Sequence, residues 1–101
     1  MRNIVLFCSA GMSTSLLVNN MKKFCGPDDV IEARPVRTVP DIIDDWDVLL
    51  LGPQVRYLEK EYKPLCASKN KGFGVIPMQI YGRMDGKSCV ELAKKAMESI
   101  G

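Results

Sequence analysis

Residues 8–15 read Cys-Ser-Ala-Gly-Met-Ser-Thr-Ser, and here the chain concentrates groups able to do chemistry on an anion. The small residues Ser9, Ala10 and Gly11 let the backbone curl so that successive N–H groups point inward. A helix starting directly after them would add partial positive charge. Ser13, Thr14 and Ser15 contribute hydroxyl donors, which hold phosphate oxygens without adding charge. A thiol in such a field ionises more readily, and the thiolate is the nucleophilic form, so Cys8 is a candidate to accept a phosphoryl group covalently. A cysteine taken alone is ordinarily a small buried hydrophobe. The coincidence of thiol, glycine-containing turn and hydroxyl cluster sets this one apart.

The rest of the composition narrows the chemistry by exclusion. With no histidine, the chain cannot be a phosphohistidine protein, run a Ser–His or Cys–His dyad by itself, or build a zinc site of the Cys/His kind. The four cysteines, Cys8, Cys25, Cys66 and Cys89, contain no C-x-x-C pair, so neither a zinc ribbon nor a thioredoxin-type motif is available. No metal and no cofactor is therefore expected. A chain with 47% hydrophobic residues needs no disulfide staples, and reduced thiols are expected, with Cys25, Cys66 and Cys89 structural or incidental. The 14 basic and 12 acidic residues are interspersed and leave a net charge of +2, which gives no footprint for nucleic acid. The apolar run at 3–7 is too short for a signal peptide, and nothing approaches the roughly 20 apolar residues of a membrane span. The expectation is one cytoplasmic domain over residues 1–101, without membrane insertion.

The elements that must position Cys8 follow from the spacing of apolar residues. Residues 3–7 form a continuous apolar run, which suits a buried central strand ending at the cysteine. Leu17, Met21 and Phe24 recur at helical spacing and stop before Gly26-Pro27, behind Lys22 and Lys23. Residues 30–36 are the second strand, placed at a sheet edge because Pro35 cannot donate to a ladder. Thr38 is expected to cap a short helix through about Asp45, and 47–51 is a further buried strand closed by Gly52-Pro53. Val55, Leu58, Tyr62 and Leu65 mark a third helix, and 73–77 the last strand. Ser88 with Glu91 suggests a capping box, and Val90, Ala93, Met97 and Ile100 give the terminal helix its stripe. Alternating strands and helices predict a flavodoxin-like α/β open sandwich. Alternation alone does not fix strand order, but with the first strand central and the second at the edge the four-stranded parallel sheet has the order 2-1-3-4, with helices on both faces. The loop after the first strand then opens at the switch point, where ligands bind.

Three chemistries fit a cysteine in such a loop. Cysteine-dependent phosphatases follow the thiol by five residues and then an arginine that clamps the phosphoryl group; here that place is Thr14, and no arginine or lysine occurs between Cys8 and Lys22. Without the clamp, hydrolysis is disfavoured and a thiophosphate that is handed on is expected. The third possibility is an anion-binding module with no covalent step.

The run Ile4-Val5-Leu6-Phe7-Cys8-Ser9-Ala10-Gly11-Met12-Ser13-Thr14-Ser15-Leu16-Leu17-Val18 closely resembles the start of the lactose/cellobiose-type IIB component of the bacterial phosphoenolpyruvate-dependent sugar phosphotransferase system. Val48-Leu49-Leu50-Leu51-Gly52-Pro53-Gln54 and Ile80-Tyr81-Gly82-Arg83-Met84-Asp85-Gly86 extend the resemblance over essentially the whole chain. It implies a phosphocysteine at Cys8, cradled by Ser9, Ala10, Gly11, Met12, Ser13, Thr14 and Ser15. The phosphoryl group would come from a phosphohistidine on a IIA partner. It would go to a sugar held by a membrane-embedded IIC partner, a disaccharide or β-glucoside such as cellobiose, chitobiose or lactose. The missing histidine then resides on the donor. The partner surface is expected around Cys8, with Met12, Pro53, Gln54 and Tyr81 contributing, and the chain is expected to act as a monomer. Gly52-Pro53-Gln54 can equally be a turn that starts a helix. Asp85 reads more simply as a turn residue than as a general acid. Trp46 reads as core, and Lys69-Asn70-Lys71 as a solvated loop.

Overall fold

Apolar runs with no polar alternation must be covered on both sides, and the chain does this with helices. In a computed structural model, the structure describes residues 3–8, 11–26, 28–35 and 38–98, and of residues 8 and 11–14 it describes the backbone alone. Strand β1 (Asn3–Cys8) leads to helix α1 (Gly11–Lys22), β2 (Val30–Pro35), α2 (Val39–Ile42) and a 3-10 turn (Ile43–Asp45). Then come β3 (Val48–Leu51), a 3-10 segment (Pro53–Leu58), α3 (Glu59–Ser68), β4 (Gly72–Val75), α4 (Met78–Gly82) and α5 (Gly86–Glu98). All three strand pairings are parallel and the order is β2-β1-β3-β4, with Ile4 opposite Ile31 and Val48, and Leu50 opposite Gly74. The expected flavodoxin-like sheet, with its proline-bearing strand at an edge, is the observed one.

Successive residues of β1 and β3 face opposite sides. Ile4, Leu6, Val48 and Leu50 pack with Leu17, Val18 and Met21 of α1 and with Val90 and Ala93 of α5. Val5, Phe7, Leu49 and Leu51 pack with Val39, Ile43, Trp46, Val55 and Tyr62 on the other side. Trp46 is core, as expected, and Cys66 and Cys89 lie in the two clusters, one on each face of the sheet. Among the described residues no helix is long and apolar enough to cross a membrane.

Several local expectations are corrected. The buried face of α1 is Leu17, Val18 and Met21; the helix tightens into turn bonds after Lys22, so Phe24 is turned outward and half exposed. The third helical stretch starts as a 3-10 segment; it buries Val55, Tyr62 and Cys66 fully, with the expected Leu58 and Leu65 half-buried against the same core. The fourth strand stops at Val75, because Pro77 has no N–H to continue the ladder and instead precedes α4, a short helix without a visible sequence period. Thr38 makes no side-chain cap; its hydroxyl donates to the Pro35 carbonyl at 2.7 Å. Residues 36 and 100 lie outside the described ones.

The terminal helix starts three residues earlier than the Ser88–Glu91 pattern predicts. Its cap is Asp85, whose carboxylate accepts the Ser88 N–H at 3.1 Å and the Ser88 hydroxyl at 2.8 Å. Gly86 is required there, since a Cβ at that position would come 2.4 Å from the Asn20 carbonyl carbon. The start of α5 is thereby pressed directly on the backbone of α1.

Candidate functional site at the carboxyl end of the sheet

Cys8 is the last residue of β1, an inner strand flanked by β2 and β3, and in register it lies opposite Pro35. Only two residues separate it from Gly11, the first residue of α1. The main chain thus delivers the cysteine to the mouth of the sheet, just ahead of the amino end of a 12-residue helix. No acidic residue stands in the first turn of α1, and none occurs in the sequence between Cys8 and Asp28. The positive end of that helix dipole has no carboxylate of the chain's own nearby in sequence, which favours an anion from outside or an ionised thiol. Ser9 and Ala10, expected in the cradle, lie outside the described residues. Gly11, Met12, Ser13 and Thr14 form the first turn of α1, and Ser15 follows, exposed, on the same helix.

The loop after β3 is brought alongside. The Gly52 N–H donates to the Phe7 carbonyl at 2.8 Å, which sets Gly52 level with Cys8, and the Ile76 N–H donates to the Leu51 carbonyl at 2.8 Å. Pro53, half-buried, opens the 3-10 segment and Gln54 beside it is exposed, so the turn both starts a helical segment and presents a polar side chain at this end. Tyr81 behaves differently from expectation. It belongs to α4, but its ring is only 7% exposed and packs in the α1/α5 core, so in this structure it anchors the rim from beneath.

Two exposed apolar side chains carry the rim that the sequence did not reveal: Met78 at the start of α4, 63% exposed, and Tyr57 in the 3-10 segment, 72% exposed. Tyr57 follows β3, the strand next to β1, and Met78 follows β4, one strand further out. Their signal was hidden because the short helix and the 3-10 turn lack a readable apolar period. Arg34, the nearest arginine in strand register, is ion-paired with Glu32 on its own strand.

The remaining titratable groups point away from catalysis. Hydrogen bonds from the Ser88 N–H and hydroxyl hold the Asp85 carboxyl below its ordinary value. That suits a permanent cap and is the wrong direction for a general acid. Burial pushes the Cys66 thiol up to about 11 and the Cys89 thiol to about 12, so both stay protonated and inert. Lys69 is paired with Asp44 at 2.9 Å, which ties the loop after α3 to the turn after α2.

Comparison with known proteins places this geometry. The family model described as "PTS system, Lactose/Cellobiose specific IIB subunit" matches residues 3–92. The oligo-beta-mannoside-specific EIIB component of Bacillus subtilis (strain 168) is 37% identical over 100 residues, covering 96% of this chain and 97% of that protein. The cellobiose-specific EIIB component of Lactococcus lactis subsp. lactis (strain IL1403) is 37% identical over 102 residues, covering 93% and 94%. The solution structure of the cellobiose-specific phosphotransferase IIB component from Borrelia burgdorferi superposes with a TM-score of 0.79 at 33% identity, over 99% of this chain and 94% of that one. With a match this long and relatives this similar, the chain belongs to the lactose/cellobiose-specific IIB subunit family of the sugar phosphotransferase system.

Proposed function

We propose that the chain is a phosphoryl relay that carries its cargo as phosphocysteine on Cys8. The observation that carries this reading is the placement of Cys8 at the mouth of an inner strand, two residues before a helix whose first turn holds no acid. The Cys8 thiolate attacks the phosphorus of a phosphohistidine on the IIA partner. The S–P bond forms as the P–N bond breaks, and the imidazole leaves with the bonding pair and takes up a proton. A sugar hydroxyl on the IIC partner then attacks phosphorus and loses its proton, the P–S bond breaks, and the thiolate returns. Phosphoryl transfer of this kind needs positioning and charge stabilisation more than acid–base groups, which suits a site with no histidine. The N–H groups of residues 9–15 and the hydroxyls of Ser9, Ser13, Thr14 and Ser15 form the cradle, and no metal or cofactor takes part. The exposed rim of Gln54, Tyr57 and Met78 is where the partners seat.

The protein works in the cytoplasm as a monomer beside a separate membrane transporter. The sugar is a disaccharide or β-glucoside such as cellobiose, chitobiose or lactose, in keeping with relatives whose names specify oligo-beta-mannoside, galactose and cellobiose. The competing reading is a phosphatase, and one assay separates the two. The isolated chain is expected to show no turnover of an aryl phosphate, yet to take up one phosphoryl group from phosphorylated IIA. Rapid aryl phosphate hydrolysis would overturn the relay.

A further inference from the structure

The segment Tyr81-Gly82-Arg83-Met84-Asp85 closes α4 with a tight, fully bonded turn. The Met84 N–H donates to the Tyr81 carbonyl at 3.1 Å and the Asp85 N–H to the Ile80 carbonyl at 3.0 Å, the paired bonds of a Schellman ending. That motif places its second-last residue in the left-handed region, where glycine is usual; here the residue is Met84, at φ 50°, and among the described non-glycine residues Asn70 alone shares a positive φ, at 61°. A branched or long side chain in this region costs free energy and persists only where surrounding contacts hold it. Two contacts hold it: the Met84 side chain packs against the α1/α5 core, and the Asn20 carboxamide of α1 donates to the Met84 carbonyl at 2.9 Å, across 64 residues. The next residue but one, Gly86, lies against the Asn20 backbone.

The structure assigns Asn20 as a positioning residue: through Met84 it ties the end of α4, and with it the exposed Met78 rim, to the helix that starts at the Cys8 loop. The assignment rests on the relay reading for what the rim does, while the tether itself is a matter of structure. Two features favour tethering over simple packing. Tyr81 and Ile80 anchor α4 from below, but Pro77, Met78 and Gln79 are exposed, so the orientation of the rim depends on how the helix is closed at its far end. The cradle and the rim are also separate in sequence by some sixty residues, and this bond is a direct link between the elements that carry them.

The test uses the full chain with Asn20→Leu, which removes the donor at similar size and favours helix, and Asn20→Gln, which keeps a carboxamide. Amide hydrogen exchange and transfer from phosphorylated IIA are measured on each. In Asn20→Leu the Met84 and Asp85 amides are expected to exchange about fivefold faster or more, the worth of one net hydrogen bond. KM for the donor protein rises severalfold while the hydrolytic lifetime of the phosphocysteine is unchanged, and Asn20→Gln recovers much of both. Unchanged exchange at Met84 and Asp85 would overturn the tether. Faster exchange with an unchanged KM would overturn the positioning role and leave a purely structural bond. If the unsubstituted chain accepts no phosphoryl group at all, the relay reading fails and the docking role with it, while the exchange data still decide the tether.

Discussion

Helices α1 and α5 are nearly equal in length, 12 and 13 residues, lie on the same face of the sheet and touch, yet their amino ends are finished in opposite ways. At α5 the chain supplies its own anion: the Asp85 carboxylate takes the Ser88 N–H and hydroxyl, and these bonds pull its pKa down. At α1 there is no carboxylate in the first turn, and the group delivered to that end is the thiol-bearing residue Cys8. Donor groups that stabilise a carboxylate in one place would stabilise a thiolate or a phosphoryl group in the other. The contrast extends to the cysteines. Cys66 and Cys89, inside the two cores, are pushed up to about 11 and about 12 by burial, whereas the main chain brings Cys8 to the end of its strand, ahead of a helix amino end.

The contrast breaks most severely if an acid is introduced at the amino end of α1. Ser13→Glu places a carboxylate in the first turn of α1, where it should stabilise the helix while repelling the phosphoryl group. Like charges at such a position cost several kcal/mol, so labelling from phosphorylated IIA is expected to fall by about a hundredfold or more with the thermal midpoint unchanged or raised. The next effect is on packing. Gly86→Ala drives a methyl into the α1 backbone and is expected to cost about 1–3 kcal/mol, read as a lower urea midpoint.

Removing the acid from α5 should affect stability without affecting chemistry. Asp85→Ala is expected to lower the thermal midpoint by roughly 4–8 °C, with labelling of Cys8 retained. Because the folded carboxyl titrates lower than the unfolded one, the cap's contribution is present above the unfolded value near 3.9 and is lost as pH falls through the folded one. The wild-type advantage over Asp85→Ala should therefore shrink on acidification below about pH 4. The buried thiols act at the other end of the scale. Their folded values lie above the ordinary thiol value of 9.0, so their contribution is complete below pH 9 and is lost as pH rises toward about 11 and about 12. Unfolding free energy should drop there by up to about 1.4 kcal/mol per pH unit for each thiol, and a Cys66→Ala, Cys89→Ala chain should show a flatter alkaline limb.

Much of this arrangement could be read from residues alone, and the exceptions have physical causes. The runs 3–7 and 48–51 are apolar on both faces, which only inner parallel strands require, and Pro35 marks an edge, so strand order followed. Cys8 and the turn after it were legible because small residues, hydroxyls and a thiol coincide at a strand end. Met78, Tyr57 and the α4 helix were not, because a five-residue helix and a 3-10 segment are too short to show a period. Asp85 was taken for a turn residue, since Ser88 and Glu91 imitate a capping box three residues on. Asn20 and Met84 were invisible for a different reason: methionine does not advertise a left-handed backbone, and a single asparagine on a helix gives no sign of a partner 64 residues away. Tyr81 was placed on the partner surface because its loop is at the right end of the sheet, but its ring packs inward.

The most direct test of the central claim is to incubate the chain with phosphoenolpyruvate and the upstream relay proteins, and to locate the added phosphoryl group by mass spectrometry under conditions that preserve thiophosphates. The account expects one phosphoryl group per chain, on Cys8, with Cys25, Cys66 and Cys89 unmodified and the Cys8→Ser chain unlabelled. Labelling of Cys8→Ser to the same extent as the unsubstituted chain, or a phosphoryl group found on any other residue, would contradict it.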